Sequence, residues 1–265
     1  MFTRQKEIMK ALSEKNGISL EVIDKIGSTN TYLKARAADG AQEGSVAVAL
    51  SQTDGRGRMQ RAFASPPGSG IYMSILLRPR ELACTGVLIT ACAAVAVNEA
   101  IEEVTGIKTD IKWVNDLYLG KKKICGILAE GAIDPKTSTF DHVVLGIGVN
   151  LTDTFKDTEL ENIAGGLYPT LTDEELLSLH TRLTAAIINR FFFYYRQGLE
   201  NVMNELLTKY RSHLFLIGKT VEVISYSNTA EATVIALNDD FTLSVKYSDG
   251  KTEALNSGEV RLKLK

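Results

Sequence analysis

Residues 110–150, DIKWVNDLYLGKKKICGILAEGAIDPKTSTFDHVVLGIGVN, decide the fold. Their apolar runs are rich in β-type residues and are broken by polar turns, which predicts strands over 110–119, 123–133 and 140–149. The polar turn from Gly120 to Lys122 joins the first two as a hairpin. Gly146 and Gly148 fall inside the last strand, and Asn150 ends the segment. Glycine weakens a strand, so something packs closely there, either another strand or a ligand. Gly126 offers the same close approach on the preceding strand.

Working outward, 18–26 (ISLEVIDKI), 45–51 (SVAVALS) and 71–78 (IYMSILLR, ended by Pro79) read as further strands. Helices are expected over 4–15, where Ile8 and Leu12 stand four apart, from the capping cluster Ser28-Thr29-Asn30 through Ala38, and over the Ala/Val-rich stretch 84–103. Downstream come a connecting loop over 151–170, a long helix over 173–196 and another over 199–210. The character then changes. Residues 219–265 hold about five short strands, with turns at Ser227-Asn228, Asn238-Asp239, Asp249-Gly250 and Ser257-Gly258, the spacing of a small barrel. The expected division is 1–215 and 216–265.

The 265 residues are enough for a substantial core, at 45% hydrophobic and 23% charged. A net charge of −2 excludes a globally basic nucleic-acid binder. The longest apolar run, Val87 to Val97, is too short to span a bilayer, and the N-terminus lacks the apolar stretch of a secretory signal. Cys84, Cys92 and Cys125 are odd in number and fit no ligand spacing, so a reducing, cytoplasmic protein without structural disulfides is expected.

The segment richest in chemistry is Gln52-Thr53-Asp54-Gly55-Arg56-Gly57-Arg58-Met59-Gln60-Arg61. Glycines let backbone N–H groups face a ligand, and arginine supplies a permanent charge and a planar fork for phosphate or carboxylate. A solvated loop is the plain alternative, and RNA a weaker one, since only Phe63 and Tyr72 stand near as aromatic platforms. Gly218-Lys219-Thr220 is not a P-loop, because His213 occupies the leading glycine position, and neither Gly55-x-Gly57 nor Gly146-x-Gly148 completes a dinucleotide fingerprint. His142, His180 and His213 are scattered and form no metal cluster. Lys123, at a hairpin strand start, can project its ammonium into a site. Trp113 reads as core.

Taken in order, Ser28-Thr29-Asn30, Gln52, Gly55-Arg56-Gly57-Arg58, Lys112-Trp-x-Asn115-Asp116, Lys123-x-x-Gly126-Ile127-Leu128-x-Glu130 and Gly146-x-Gly148-x-Asn150 resemble the motifs of the biotin–protein ligases over roughly residues 25 to 150. The resemblance implies an α+β fold: a mixed-sheet catalytic domain flanked by helices, of the class II aminoacyl-tRNA synthetase type, followed by a small SH3-like β-barrel. It implies ATP, Mg2+ and biotin, a biotinyl-5′-AMP intermediate, and transfer to one lysine of the biotin carboxyl carrier domain of acetyl-CoA carboxylase or a related carboxylase.

By that resemblance Lys123 and Arg58 are catalytic. Ser28, Thr29, Asn30, Gln52, Gly55, Arg56, Tyr72, Lys123, Gly126, Gly146 and Gly148 form the biotin site. Arg58, Arg61, Phe63, Asn115, Lys123 and Asn150 serve the nucleotide, with Phe63 a lid on the adenine where the family often has Trp. Asp116 is the metal candidate. Gly70 stands where some members have Asn. Only 27 residues precede Ser28, fewer than the DNA-binding extension of some members needs, so neither DNA nor membrane is an expected partner, while a homodimer is compatible. A lipoate or octanoate ligase sharing the core, and a non-catalytic small-ligand sensor or RNA binder, are the competing readings.

Overall fold

The computed structural model describes residues 2–79, 86–224, 229–256 and 259–262. Helix α1 (Phe2–Ala11) leads to β1 (Ser19–Ile23), α2 (Thr29–Ala38) and β2 (Ser45–Ala49). A loop with one 3-10 turn (Arg58–Gln60) precedes β3 (Gly70–Leu77) and α3 (Gly86–Thr105). Then follow β4 (Asp110–Lys112), β5 (Asp116–Leu119), β6 (Lys122–Ile133), β7 (Phe140–Asn150), α4 (Asp173–Tyr195) and α5 (Met203–His213). The remaining strands are β8 (Thr220–Ile224), β9 (Thr229–Leu237), β10 (Leu243–Tyr247), β11 (Thr252–Leu255) and β12 (Glu259–Leu262).

Two sheets result. The larger has seven strands in the order β1-β2-β3-β7-β6-β5-β4, with β1–β2 parallel and the other neighbours antiparallel. The smaller is antiparallel, in the order β11-β10-β9-β8-β12. The fold is therefore α+β, a mixed sheet flanked by helices with a small antiparallel β module behind it. No helix among the described residues is long and apolar enough to cross a membrane.

Period-two alternation gives the large sheet two unlike faces. Ile71, Met73, Ile75 and Leu77 of β3 join Val143, Leu145, Ile147 and Val149 of β7 in the main core with α3 and α4. The opposite face carries Tyr72, Ser74 and Leu76 on β3, and Gly146, Gly148 and Asn150 on β7. Helix α2 covers only one end of that face, where Leu33 and Ala37 meet Ala47, Leu76 and Val144. The glycine-bearing end is left for the site.

Several expected boundaries move. Residues 110–119 are not one strand: the chain folds back on itself, so that Ile111 pairs with Leu117 and Lys112 with Asp116. Side chains enforce the reversal, because Trp113 is 3% exposed and donates its indole N–H to Phe241 O at 2.8 Å, while Asn115 Nδ2 donates to Ile127 O at 2.9 Å. Helix α5 begins at Met203 rather than 199, after a turn in which Gly198 holds φ +84°. Helix α1 ends at Ala11, and Ser13 N–H donates instead to Asn189 Oδ1 of α4 at 2.9 Å. Helix α3 runs Gly86–Thr105. Cys84 and the turns expected at 227–228 and 257–258 lie outside the described residues.

Candidate active site

The sheet register assembles the site. One rung runs Asp116–Gly126–Gly148–Tyr72 across β5, β6, β7 and β3, and the next runs Leu128–Gly146–Ser74. The floor thus has side-chain-free positions flanked by polar ones. A β-bulge between Leu117 and Tyr118 pairs Leu117 with Cys125 but Tyr118 with Lys123, leaving Ile124 as the extra residue. Bulges re-aim side chains. Here Ile124 and Cys125 both enter the core, and Lys123 turns to the face of Gly126.

Helix α2 walls one side. Ser28 caps it, its Oγ accepting from Thr31 N–H at 3.5 Å, and the positive end of the helix points at the cleft. Gln52 Oε1 accepts from Thr29 N–H at 2.8 Å and from Thr29 Oγ1 at 3.1 Å, and its Nε2 donates to Ser65 Oγ at 2.9 Å. Ser74 Oγ lies 2.7 Å from Thr29 Oγ1 and 2.6 Å from Asn30 Oδ1. These buried polar groups interlock, so each is held in one orientation.

The Arg/Gly loop forms the roof. Gly55 is demanded by closeness, since a Cβ there would lie 2.2 Å from Phe63 O. Met59 and Gln60 hold φ of 54° and 60°, a left-handed pair uncommon for such residues. Arg58 Nη1 donates to Asn115 Oδ1 at 3.0 Å, and Lys123 Nζ makes an ion contact with Asp116 Oδ1 at 2.7 Å. Arg56 Nη2 donates to Glu130 Oε1 at 3.3 Å. Three cations thus approach one cleft from two directions.

Ser28, Thr29, Asn30, Gln52, Arg56, Arg58, Phe63, Asn115, Lys123, Gly126, Gly146 and Gly148 line that cleft together. Five expected residues do not. Tyr72 is 1% exposed, its hydroxyl donates to Pro66 O at 3.0 Å, and burial pushes its phenol up to about 12; it backs the site through an edge contact with Phe63. Gly55 holds the loop base, and Arg61 closes the 3-10 turn. Asn150 is buried, its Nδ2 donating to Gly165 O at 2.9 Å. Asp116 sits beside Lys123.

Phe63 sits above the floor of the cleft. Its ring lies over the glycine rung: a Cβ on Gly148 would be 2.4 Å from it, and one on Gly126 3.0 Å. The space remaining is about 50 Å³, far below the roughly 300–1,000 Å³ of small-ligand pockets. Ligand entry therefore requires the ring to move.

Two contributors escaped the reading from composition and motif spacing: Ser74, the polar residue on the site face of an apolar strand, and Tyr210 of α5. Tyr210 is fully buried, and burial, with the charge of Asp116, raises its phenol well above the ordinary value against the opposing charge of Arg58. Strict alternation along IYMSILL finds Ser74; nothing local finds Tyr210.

The chain is similar to known proteins. The sequence model of the Biotin/lipoate A/B protein ligase family matches residues 22–150. The bifunctional ligase/repressor BirA of Bacillus spizizenii is 32% identical over 241 residues, covering 90% of this chain and 72% of the relative. The biotin–[acetyl-CoA-carboxylase] ligase of Mycobacterium tuberculosis is 34% identical over 145 residues, 53% of this chain and 52% of that protein. The structure of a biotin protein ligase from Aquifex aeolicus in complex with biotin and ATP superposes with a TM-score of 0.70 at 25% identity, covering 92% of this chain and 98% of that one.

Proposed function

The chain belongs to the biotin/lipoate A/B protein ligase family and is a biotin–protein ligase, and on that premise we propose that it activates biotin with ATP as biotinyl-5′-AMP and passes the acyl group to one lysine of a biotin carboxyl carrier domain. The observation that carries this reading is the convergence of Arg56, Arg58 and Lys123 on a cleft floored by Gly126, Gly146 and Gly148.

A biotin carboxylate oxygen attacks the α-phosphorus of ATP, forming the acyl–phosphate bond as the bond to the β-phosphate oxygen breaks and pyrophosphate leaves. Both partners are anions, so their approach is repulsive in water. Lys123 and Arg58 supply fixed positive charge where negative charge accumulates, and losing such a donor costs about 3 kcal/mol in comparable sites. Asp116 and Asn115 hold these two cations in place. No base is needed, because a carboxylate is already ionised at neutral pH. Holding the reactants in line supplies much of the remaining acceleration.

Asp116 would also hold Mg2+, which is commonly bound by one or two carboxylates together with substrate phosphates. The donor set, one carboxylate beside the cleft at Lys123, is of the kind that Mg2+ shares with substrate phosphates. The ion would supply further neutralisation of phosphate charge.

The mixed anhydride formed in the first step is destroyed by water. The Arg/Gly loop, packed over the cleft by Phe63, is suited to exclude it. In the second step a neutral lysine amine of the carrier attacks the acyl carbon, and AMP leaves. The interlocked groups Thr29, Asn30, Ser74 and Gln52 favour a polar fused ring over an aliphatic acid, because a site built to hydrogen-bond rejects an analogue lacking those groups.

The test is mass spectrometry of a biotin carrier domain after incubation with this protein, biotin and MgATP. A gain of one biotinyl group on a single lysine is expected. A gain only when lipoate replaces biotin, or none with either acid, overturns the reading.

A further inference from the structure

Glu130 has no part in the chemistry just described. It stands on the site face of β6, four residues and about 13 Å along the strand beyond Gly126, and two residues beyond the Leu128–Gly146 rung. It does not line the cleft, yet its carboxylate gathers three donors from two other segments. Asn30 Nδ2 donates to Oε2 at 2.8 Å, and Lys34 Nζ and Arg56 Nη2 donate to Oε1 at 2.6 and 3.3 Å. Asn30 and Lys34 belong to α2; Arg56 belongs to the Arg/Gly loop. The Glu130 side chain is 19% exposed. Its partial burial acts to raise its pKa, but the hydrogen bonds from Asn30 and Lys34 and the charges of Lys34 and Arg56 outweigh that and hold it below the ordinary glutamate value.

The bond to Asn30 decides which end of that amide faces the cleft. With Nδ2 given to Glu130, Oδ1 is turned to Ser74 and to Gly146, where a Cβ would approach it to 2.3 Å. The same carboxylate restrains Arg56, whose side chain is 44% exposed and belongs to the segment that must open for entry. One group therefore grips both the wall and the roof.

We propose that Glu130 is a positioning residue that couples the Arg/Gly roof to the acid-binding wall, orienting Asn30 and latching Arg56 so that the loop recloses over bound reactants. The proposal rests on the ligase reading for its kinetic consequence but not for the latch, whose contacts are made between residues of this chain alone. Partly exposed ion pairs contribute little individually, so effects of a fewfold are expected.

Two measurements test it on the full chain. Amide hydrogen exchange without ligand should run a fewfold faster across residues 53–63 in Glu130→Gln than in wild type, with the thermal midpoint retained. The double variant with Arg56→Ala should exchange no faster than Arg56→Ala alone, because both remove one contact. In biotin-dependent pyrophosphate release, Glu130→Gln should raise KM for biotin threefold to tenfold with kcat within twofold, and Glu130→Asp should recover part of the loss. Unchanged loop exchange in Glu130→Gln, or additivity with Arg56→Ala, overturns the latch. Failure of the wild-type protein to release pyrophosphate with biotin instead defeats the ligase reading and leaves the exchange result to stand or fall separately.

Discussion

Lys123 reaches the site because β6 carries one extra residue opposite β5. Without that bulge, alternation would place its ammonium on the side of Cys125, in the core. Replacing it by alanine should lower adenylate formation by about 10²–10³-fold with the far-UV circular dichroism retained, the size of effect expected for a lost donor at developing charge. A wild-type rate of pyrophosphate release in Lys123→Ala would show that the convergence of cations is incidental. Phe63 gives the complementary case. Its ring lies over the glycine rung, so Phe63→Ala should speed association of a fluorescently labelled biotin a fewfold in stopped-flow measurements, while adenylate escapes sooner. An association rate equal to wild type would mean the ring is not the barrier. At this scale the sequence displays the glycines and arginines plainly, since few other residues do their work. The bulge is hidden, because it depends on a pairing register that no single strand records. Phe63 is visible as an aromatic residue beside the loop, but the cross-strand glycine pair beneath it shows only once β6 and β7 are aligned.

Among the elements, α4 is the most openly specified. Thr172 and Glu175 form a reciprocal capping box: Thr172 N–H and Oγ1 both donate to Glu175 Oε2 at 2.9 Å, and Glu175 N–H donates back to Thr172 Oγ1 at 3.3 Å. Thr172→Ala should cost about 1 kcal/mol in urea unfolding without altering turnover. The same helix buries His180, which is 3% exposed and whose pKa falls to about 3 through burial, with the charge of Arg4 adding to the effect. The ordinary histidine value is 6.5. Between these values the unfolded chain binds a proton that the folded chain refuses, so stability is fully present above pH 6.5 and falls as the pH drops through the window. From pH 6.5 to 5 the loss is about 2 kcal/mol. His180→Gln should therefore lose less stability than wild type between pH 7 and pH 5, and equal losses would exclude His180 as the source. The helical pattern of α4 is readable in its sequence, but the isolation of His180 is a property of what surrounds it. Turns that depend on distant partners are the least legible elements, as 113–115 demonstrates.

At the scale of the whole molecule, we propose a division between residues 215 and 216, with the two sheets nonetheless sharing one core. The contact is specific. Phe241, which sits at φ 63° and is 1% exposed, meets the ring of Tyr210 edge-on at 5.6 Å and accepts the Trp113 indole hydrogen bond. Arg211 of α5 donates to Leu237 O and Asp239 Oδ1 at 2.6 and 2.9 Å. The small sheet therefore buttresses the turn that presents Asn115, which lines the cleft, and Asp116. Trp113 is the sole tryptophan of the chain, so its fluorescence reports on this junction alone. If the sheets form one cooperative unit, the fluorescence and far-UV circular dichroism transitions in urea coincide. Phe241→Ala should then lower stability by about 3–5 kcal/mol, the cost of emptying a buried aromatic site, and shift Trp113 emission to the red. Because Asn115 follows Trp113 closely and holds Arg58, the same variant should raise KM for ATP more than KM for biotin. Two separated transitions, with Trp113 emission following only the second, would show that the small sheet folds apart from the site and lends it no support.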